Sequence, residues 1–190
     1  MNNKNKVQEE IQHRIAAGNR AYFANIKLLK SKCISRFTKL KMYKTLIKPV
    51  VTYGAETWTM TVKDENILRS FERKIMRRIM GPVREGNGWR ARTNAEVEQF
   101  LNDEDIVRHI KAQRIRWLGH VYRMGEDRLP GRLVGAEMAG KRRRGRPRRT
   151  CLRDVEEDLL TMGCGRWRRS VERRDEWRQI VREARVHTGL

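Results

Sequence analysis

Apolar residues in this chain return every three or four positions in one segment after another, and almost nowhere do they alternate. Val7, Ile11, Ile15, Gly18, Tyr22, Ile26 and Leu29 form the first series, the signature of one helix face. It predicts a helix over residues 6–31, with Gly18 leaving room for a neighbouring helix. Ser35 is a suitable N-cap for a second helix. That helix is expected to bury Leu40, Tyr43, Leu46 and Ile47 and to show Lys39, Lys41, Lys44 and Lys48. Pro49, lacking an amide donor, should kink it or end it nearby. Thr61-Val62-Lys63-Asp64 reads as a capping box, followed by Leu68, Phe71, Ile75 and Ile79 on one face and Arg69, Arg73, Arg77 and Arg78 on the other. Gly81-Pro82 stops that helix.

Residues 83–92 read as a Gly- and Arg-containing loop around Trp89. A second capping box, Thr93 to Glu96, opens a short acidic helix through Leu101. Asp103 or Asp105 starts the next, with Ile106, Ile110, Trp117, Val121 and Met124 inward and Lys111, Arg114 and Arg123 toward its other sides. Between 125 and 150 no helical period survives: Pro130, Pro147 and five glycines interrupt it. Helices over about 150–162 and 167–185 close the chain, burying Leu152, Val155 and Leu159, then Val171, Trp177, Ile180 and Val181. No segment reads as a strand. The expected fold class is all-α, organised as 1–80, 81–124, a basic Gly/Pro-containing segment 125–150, and 151–190.

Charge narrows the partners. The 190 residues carry 44 Lys and Arg against 23 Asp and Glu, a formal +21. Such a surplus repels itself unless a polyanion neutralises it, and Lys and Arg release counterions when they meet phosphates. The surplus is concentrated. Residues 1–60 hold 12 basic and 3 acidic side chains, and residues 126–149 hold 9 and 3, whereas the last 41 hold 9 and 8. With hydrophobic residues at 38%, the core is expected to be thin and firmer beside a partner.

The strongest local signal is Lys141-Arg142-Arg143-Arg144-Gly145-Arg146-Pro147-Arg148-Arg149, seven basic residues in nine. Three readings stay open. The run can clamp backbone phosphates. Arg144-Gly145-Arg146-Pro147 is similar to an AT-hook core, whose glycine lets arginines enter a narrow minor groove. A short basic run also serves as a nuclear address. Lys41, Lys44 and Lys48, with Arg73, Arg77 and Arg78, are further candidates for phosphate contact. The solvated face of an ordinary helix competes with that reading. Trp58, Trp117 and Trp177 read as core, while Trp89 is the best candidate for stacking on a base.

No catalytic or metal-binding constellation is expected. Two-metal nucleotidyl transfer needs converging carboxylates, yet Asp103-Glu104-Asp105 look like capping residues, and Asp154, Glu156, Glu157 and Asp158 like helix acids paired with arginines. His109 and His120 stand three helical turns apart. Cys33, Cys151 and Cys164 match no zinc spacing and read as reduced thiols, and no cofactor motif is present. The opening Met1-Asn2-Asn3-Lys4 is not shaped like a secretory signal, and no apolar run nears the ~20 residues of a membrane span. These features point to an intracellular, nuclear protein without a membrane partner.

Five blocks in order carry a more specific likeness: residues 11–30 (IQHRIAAGNRAYFANIKLLK), 41–58 (KMYKTLIKPVVTYGAETW), 71–81 (FERKIMRRIMG), 110–124 (IKAQRIRWLGHVYRM) and 145–159 (GRPRRTCLRDVEEDL). Together they resemble the C-terminal part of the endonuclease–reverse transcriptases encoded by non-LTR (LINE-type) retrotransposons. The resemblance implies that residues 1–80 correspond to the polymerase thumb, beside a template–primer of RNA and DNA, and that the remainder is the basic region following it. It also implies a fingers–palm domain upstream whose Tyr-x-Asp-Asp-type motif supplies the catalytic aspartates. That motif is absent here, so polymerase activity does not carry over to this chain. Cys151 stands where the family often has Trp, which implies weaker packing of the helix after it. A stand-alone DNA-binding or architectural protein, using the Arg-Gly-Arg-Pro segment, is the competing reading.

Overall fold

The first series of apolar residues forms a helix, as its period predicts. In the computed structural model, which describes residues 7–101, 104–124, 128–135 and 150–190 (for 133–135 the backbone only), helices dominate and the predominantly all-α class holds. The chain divides into two compact units, Met1–Gly54 with Met60–Val107, and Ala55–Thr59 with Arg108–Leu190. The first therefore continues past residue 80.

In the first unit α1 (Val7–Ala24) buries Ile11, Gly18 and Tyr22. The stretch expected as one helix is broken at Asn25, after which α2 (Ile26–Lys30) begins. Asn25 Nδ2 donates to the Ala21 carbonyl at 2.9 Å, and such local side-chain bonding competes with the helical ladder. Gly18 does bring a neighbour close. A Cβ there would meet Val51 Cγ2 and lie 2.9 Å from Phe71 Cζ.

Ser35 caps α3 (Arg36–Met42), its Oγ accepting from the Thr38 amide at 3.1 Å. The helical path ends near Pro49 as expected, two residues on at Val51, but not at the proline itself. Residues Tyr43–Ile47 wind as a π turn, and α4 (Lys48–Val51) starts with Pro49 in its first turn, where a missing amide is tolerated. The wider turn puts later residues out of phase with the 3.6 period, which accounts for two reversals. Leu46 is exposed and Lys48 is buried. Lys39, expected on the surface, is buried as well, its long apolar stem permitting this.

Thr61 opens α5 (Val62–Met80) with the predicted capping box: its amide donates to Asp64 Oδ2 at 3.0 Å, and its Oγ1 accepts from the Asp64 amide. Leu68, Phe71, Ile75 and Ile79 are buried as the pattern requires, and Gly81, at φ +74°, ends the helix. The loop expected at 83–92 is instead a two-stranded antiparallel hairpin. β1 (Val83–Glu85) pairs with β2 (Gly88–Arg90) in the register Val83 with Arg90 and Arg84 with Trp89. The two-residue connection Gly86-Asn87, with Gly86 at φ +59°, suits the twist of such turns. The second capping box then opens α6 (Asn94–Phe100), and Ile106 and Val107 at the start of α7 (Ile106–Tyr122) are fully buried.

In the second unit Arg108 to Tyr122 of α7 packs with α9 (Cys151–Thr161), α10 (Trp167–Ser170) and α11 (Arg174–Ala184) around Ile115, Leu118, Leu159, Trp167 and Trp177. Gly119 makes room for the Trp177 indole, whose Nε1 occupies the place of the missing Cβ. The helix expected over 167–185 is divided between Ser170 and Arg174, and α8 (Leu129–Gly135) lies where no period was visible, with Pro130 in its first turn. Arg114 does not face outward. It is 2% exposed, with Nη2 3.4 Å from Asp154 Oδ2 and Nη1 3.9 Å from Asp158 Oδ2. Residues 55–59 join this unit: Trp58 is buried, and Cys151 Sγ donates to the Glu56 carbonyl at 3.7 Å.

Candidate nucleic-acid interface

The arginine face of α5 is the first place to look for a grip on phosphates, and its side chains are largely occupied. Arg69 Nε lies 3.0 Å from Asp105 and its Nη1 3.1 Å from Glu65. Arg73 reaches Glu98 at 3.4 Å. Arg77 donates from Nε to the Arg92 carbonyl at 2.9 Å and from Nη2 to Asn94 Oδ1 at 2.6 Å, bracing the end of the hairpin. Arg78 stacks its guanidinium 5.3 Å above the Tyr22 ring and remains exposed. The sequence shows one acid within this stretch, Glu72, but the compensation comes from Glu98 and Asp105, brought in from elsewhere in the unit.

Glu72 serves the interior. It is 1% exposed and accepts two short bonds, from Tyr43 Oη at 2.8 Å and from the Ile106 amide at 2.7 Å. The second satisfies a donor of α7's first turn, a service usually given by a neighbouring Asp or Ser. Burial raises the Glu72 carboxyl above its ordinary range against the pull of Lys48, and raises the Tyr43 phenol, to which the Glu72 charge adds. Burial likewise lowers Lys48, opposed by Glu72 and Glu104. Lys48, 3% exposed with Nζ 3.8 Å from Glu104, thus sits in this internal network and not among surface cations. Lys44 contacts the same carboxylate at 3.6 Å, half-exposed. Of these lysines Lys41 alone stands out in solvent.

The free positive charge of the first unit lies earlier in the chain. From Ile11 to Ala55 there is no acidic residue at all. Lys27, Lys30, Lys32, Arg36 and Lys41 are all exposed, and none has an acidic partner among the described residues. Three aromatic rings are exposed in the same segment: Phe23 at 56%, Phe37 at 76%, and Tyr53 at 70%, the last with the Arg14 guanidinium 4.9 Å above it. Neither phenylalanine was singled out by the apolar period, because both fall off the buried stripe; acid-free composition was the available signal. Trp89 is also outward, 71% exposed, across the hairpin from exposed Arg84. Beside it Arg90 bonds Glu96 through two nitrogens, at 2.9 and 3.0 Å, and Glu85 at 2.7 Å. That grip, with the Thr93 amide, holds the Glu96 carboxyl down at about 2.

Lys141, Arg142, Arg143, Arg144, Arg146, Arg148 and Arg149 lie outside the described residues, as does Asp103. Among the described residues no three His, Cys, Asp or Glu side chains gather as a metal site. No described helix is long and apolar enough to cross a membrane.

Exposed cations and rings thus gather in the acid-free segment, with Arg78, Arg84 and Trp89 outward beyond it. This chain is similar to a transposon-derived protein. The relative, from Caenorhabditis elegans and itself uncharacterised, is 23% identical over 128 residues, which cover 67% of this chain and 46% of the relative. The chain thus spans about half the length of the protein it matches. No family model matches it, and no solved structure does.

Proposed function

We propose that this chain is a nucleic-acid-binding part of a protein encoded by a transposable element, of the non-LTR reverse-transcriptase type, lacking the polymerase active site. The observation that carries the proposal is the acid-free segment 11–55, whose exposed Lys27, Lys30, Lys32, Arg36 and Lys41 have no intramolecular anion among the described residues. The ordered sequence blocks and the transposon-derived relative support the choice of element. Its partners in this reading are RNA and DNA, as template–primer or target, and a fingers–palm domain encoded separately or upstream, in the nucleus. Lys141 to Arg149 add a second grip.

Electrostatic binding has a measurable signature. The logarithm of affinity falls linearly with the logarithm of salt, by about 0.9 per neutralised phosphate on duplex. Replacing Lys27, Lys30, Lys32, Arg36 and Lys41 together by Gln should weaken binding at low salt and flatten that slope. An unchanged slope rejects the segment as the grip. Primer extension with Mg²⁺ should give no incorporation above background. The Arg-Gly-Arg-Pro motif favours a second reading, minor-groove binding; strong preference for A·T-rich duplex, abolished by Arg146→Ala, would establish it.

A further inference from the structure

We propose that the first unit binds single-stranded nucleic acid, with bases stacked on Phe23 and Phe37 and the adjoining phosphates held by Lys27 and Lys41. This rests on the nucleic-acid reading above and names the form of the ligand. One pairing occurs twice in the sequence. Phe23 is followed four residues later by Lys27, and Phe37 four residues later by Lys41. Side chains four apart share a helix face. Phe37 and Lys41 both belong to α3. Phe23 and Lys27 lie on either side of the break at Asn25, so of the two pairs Phe37 and Lys41 alone share a continuous helix face.

All four side chains are exposed, and both lysines lack an acidic partner among the described residues. Phe37 at 76% and Phe23 at 56% exposure turn flat apolar faces to solvent within a segment that is otherwise basic. The charge around them decides what covers them. With no acid between Ile11 and Ala55, the covering group carries negative charge as well as a flat apolar face. A nucleotide has both, at the spacing of neighbouring side chains. In a duplex the base faces are already stacked on one another, whereas a single strand presents them, and aromatic side chains then take them without regard to sequence.

The test uses the full chain and fluorescein-labelled oligo-dT, the same oligomer made abasic, and a blunt duplex of equal length, by anisotropy. Oligo-dT should bind more tightly than either of the others at equal salt. Phe37→Ala should weaken oligo-dT roughly tenfold, the order a single stacked base contributes, and leave the abasic oligomer unaffected. Phe37→Tyr should restore binding. Lys41→Ala should lower the salt slope on the single strand by about 0.7. Abasic oligomer or duplex binding as well as oligo-dT, or Phe37→Ala binding as wild type, overturns the proposal while leaving general nucleic-acid binding in place; absence of all salt-dependent binding removes both. Polyglutamate competing as effectively as oligo-dT, or a Phe37→Ala change in oligomeric state with base dependence intact, assigns the surface to a protein instead.

Discussion

At Gly18 and Glu72, single side chains decide how the first unit is closed. Gly18 is a point of contact for which there is no spare volume, since a methyl group would run into Val51 and Phe71. Gly18→Ala gains helix propensity but overpacks the core, and the second effect is larger, of order 1–3 kcal/mol. Urea denaturation should show the midpoint falling with the slope unchanged. Glu72 offers a test by pH. Its folded carboxyl is raised by burial, so the folded state holds a proton that the unfolded chain has released. Its contribution is complete below the ordinary value of 4.5 and is lost as pH climbs from there toward the folded value. Glu72→Gln lacks this titration, and the stability difference between wild type and variant should shift in the variant's favour as pH rises from 4.5. A difference independent of pH would contradict the assignment. Arg114 shows what single residues hide from the sequence. Its partners Asp154 and Asp158 lie some forty positions away, so nothing local distinguishes it from a surface arginine.

At the scale of elements, caps and periods were the most legible features. Ser35, Thr61 and Thr93 begin helices as their chemistry demands, because each cap is satisfied within three residues. Breaks were harder to read. Asn25 divides one apolar series, and the π turn at Tyr43–Ile47 shifts the phase that exposes Leu46 and buries Lys48. The hairpin carried a usable signal in Gly86-Asn87, but its strands are three residues each, too short for alternation to show. The exposed basic segment was legible only as composition, and its rings escaped notice because they lie off the core stripe. The corner between hairpin and α6 gives a prediction of its own. Glu96, held at about 2 by Arg90, stabilises that corner above its ordinary value of 4.5 and ceases to as pH falls from there toward 2. The Thr93 amide resonance should report that transition. Arg90→Lys, which cannot donate two parallel bonds to one carboxylate, should move its midpoint upward.

For the molecule as a whole, net charge of +21 on a chain with 38% hydrophobic residues makes stability depend on what surrounds it. Under the proposed function a ligand that binds only the folded state adds about 2.7 kcal/mol at a hundred times its dissociation constant. Melting temperature should therefore rise with added polyanion at low salt, and the gain should vanish at high salt as screening takes hold. A gain that survives high salt would point to contacts other than charge. The division into units carries a separate consequence for synthesis. Residues 55–59 belong with a unit whose remaining chain begins at Arg108, and no single cut yields both units whole. Glu56 leaves the ribosome 95 residues ahead of Cys151, its hydrogen-bond partner. At about 5–20 residues per second that is an interval on the order of 5–20 s, during which residues 55–59 wait for the rest of their unit. For those seconds the nascent chain carries a short segment whose unit is not yet made, open to a chaperone.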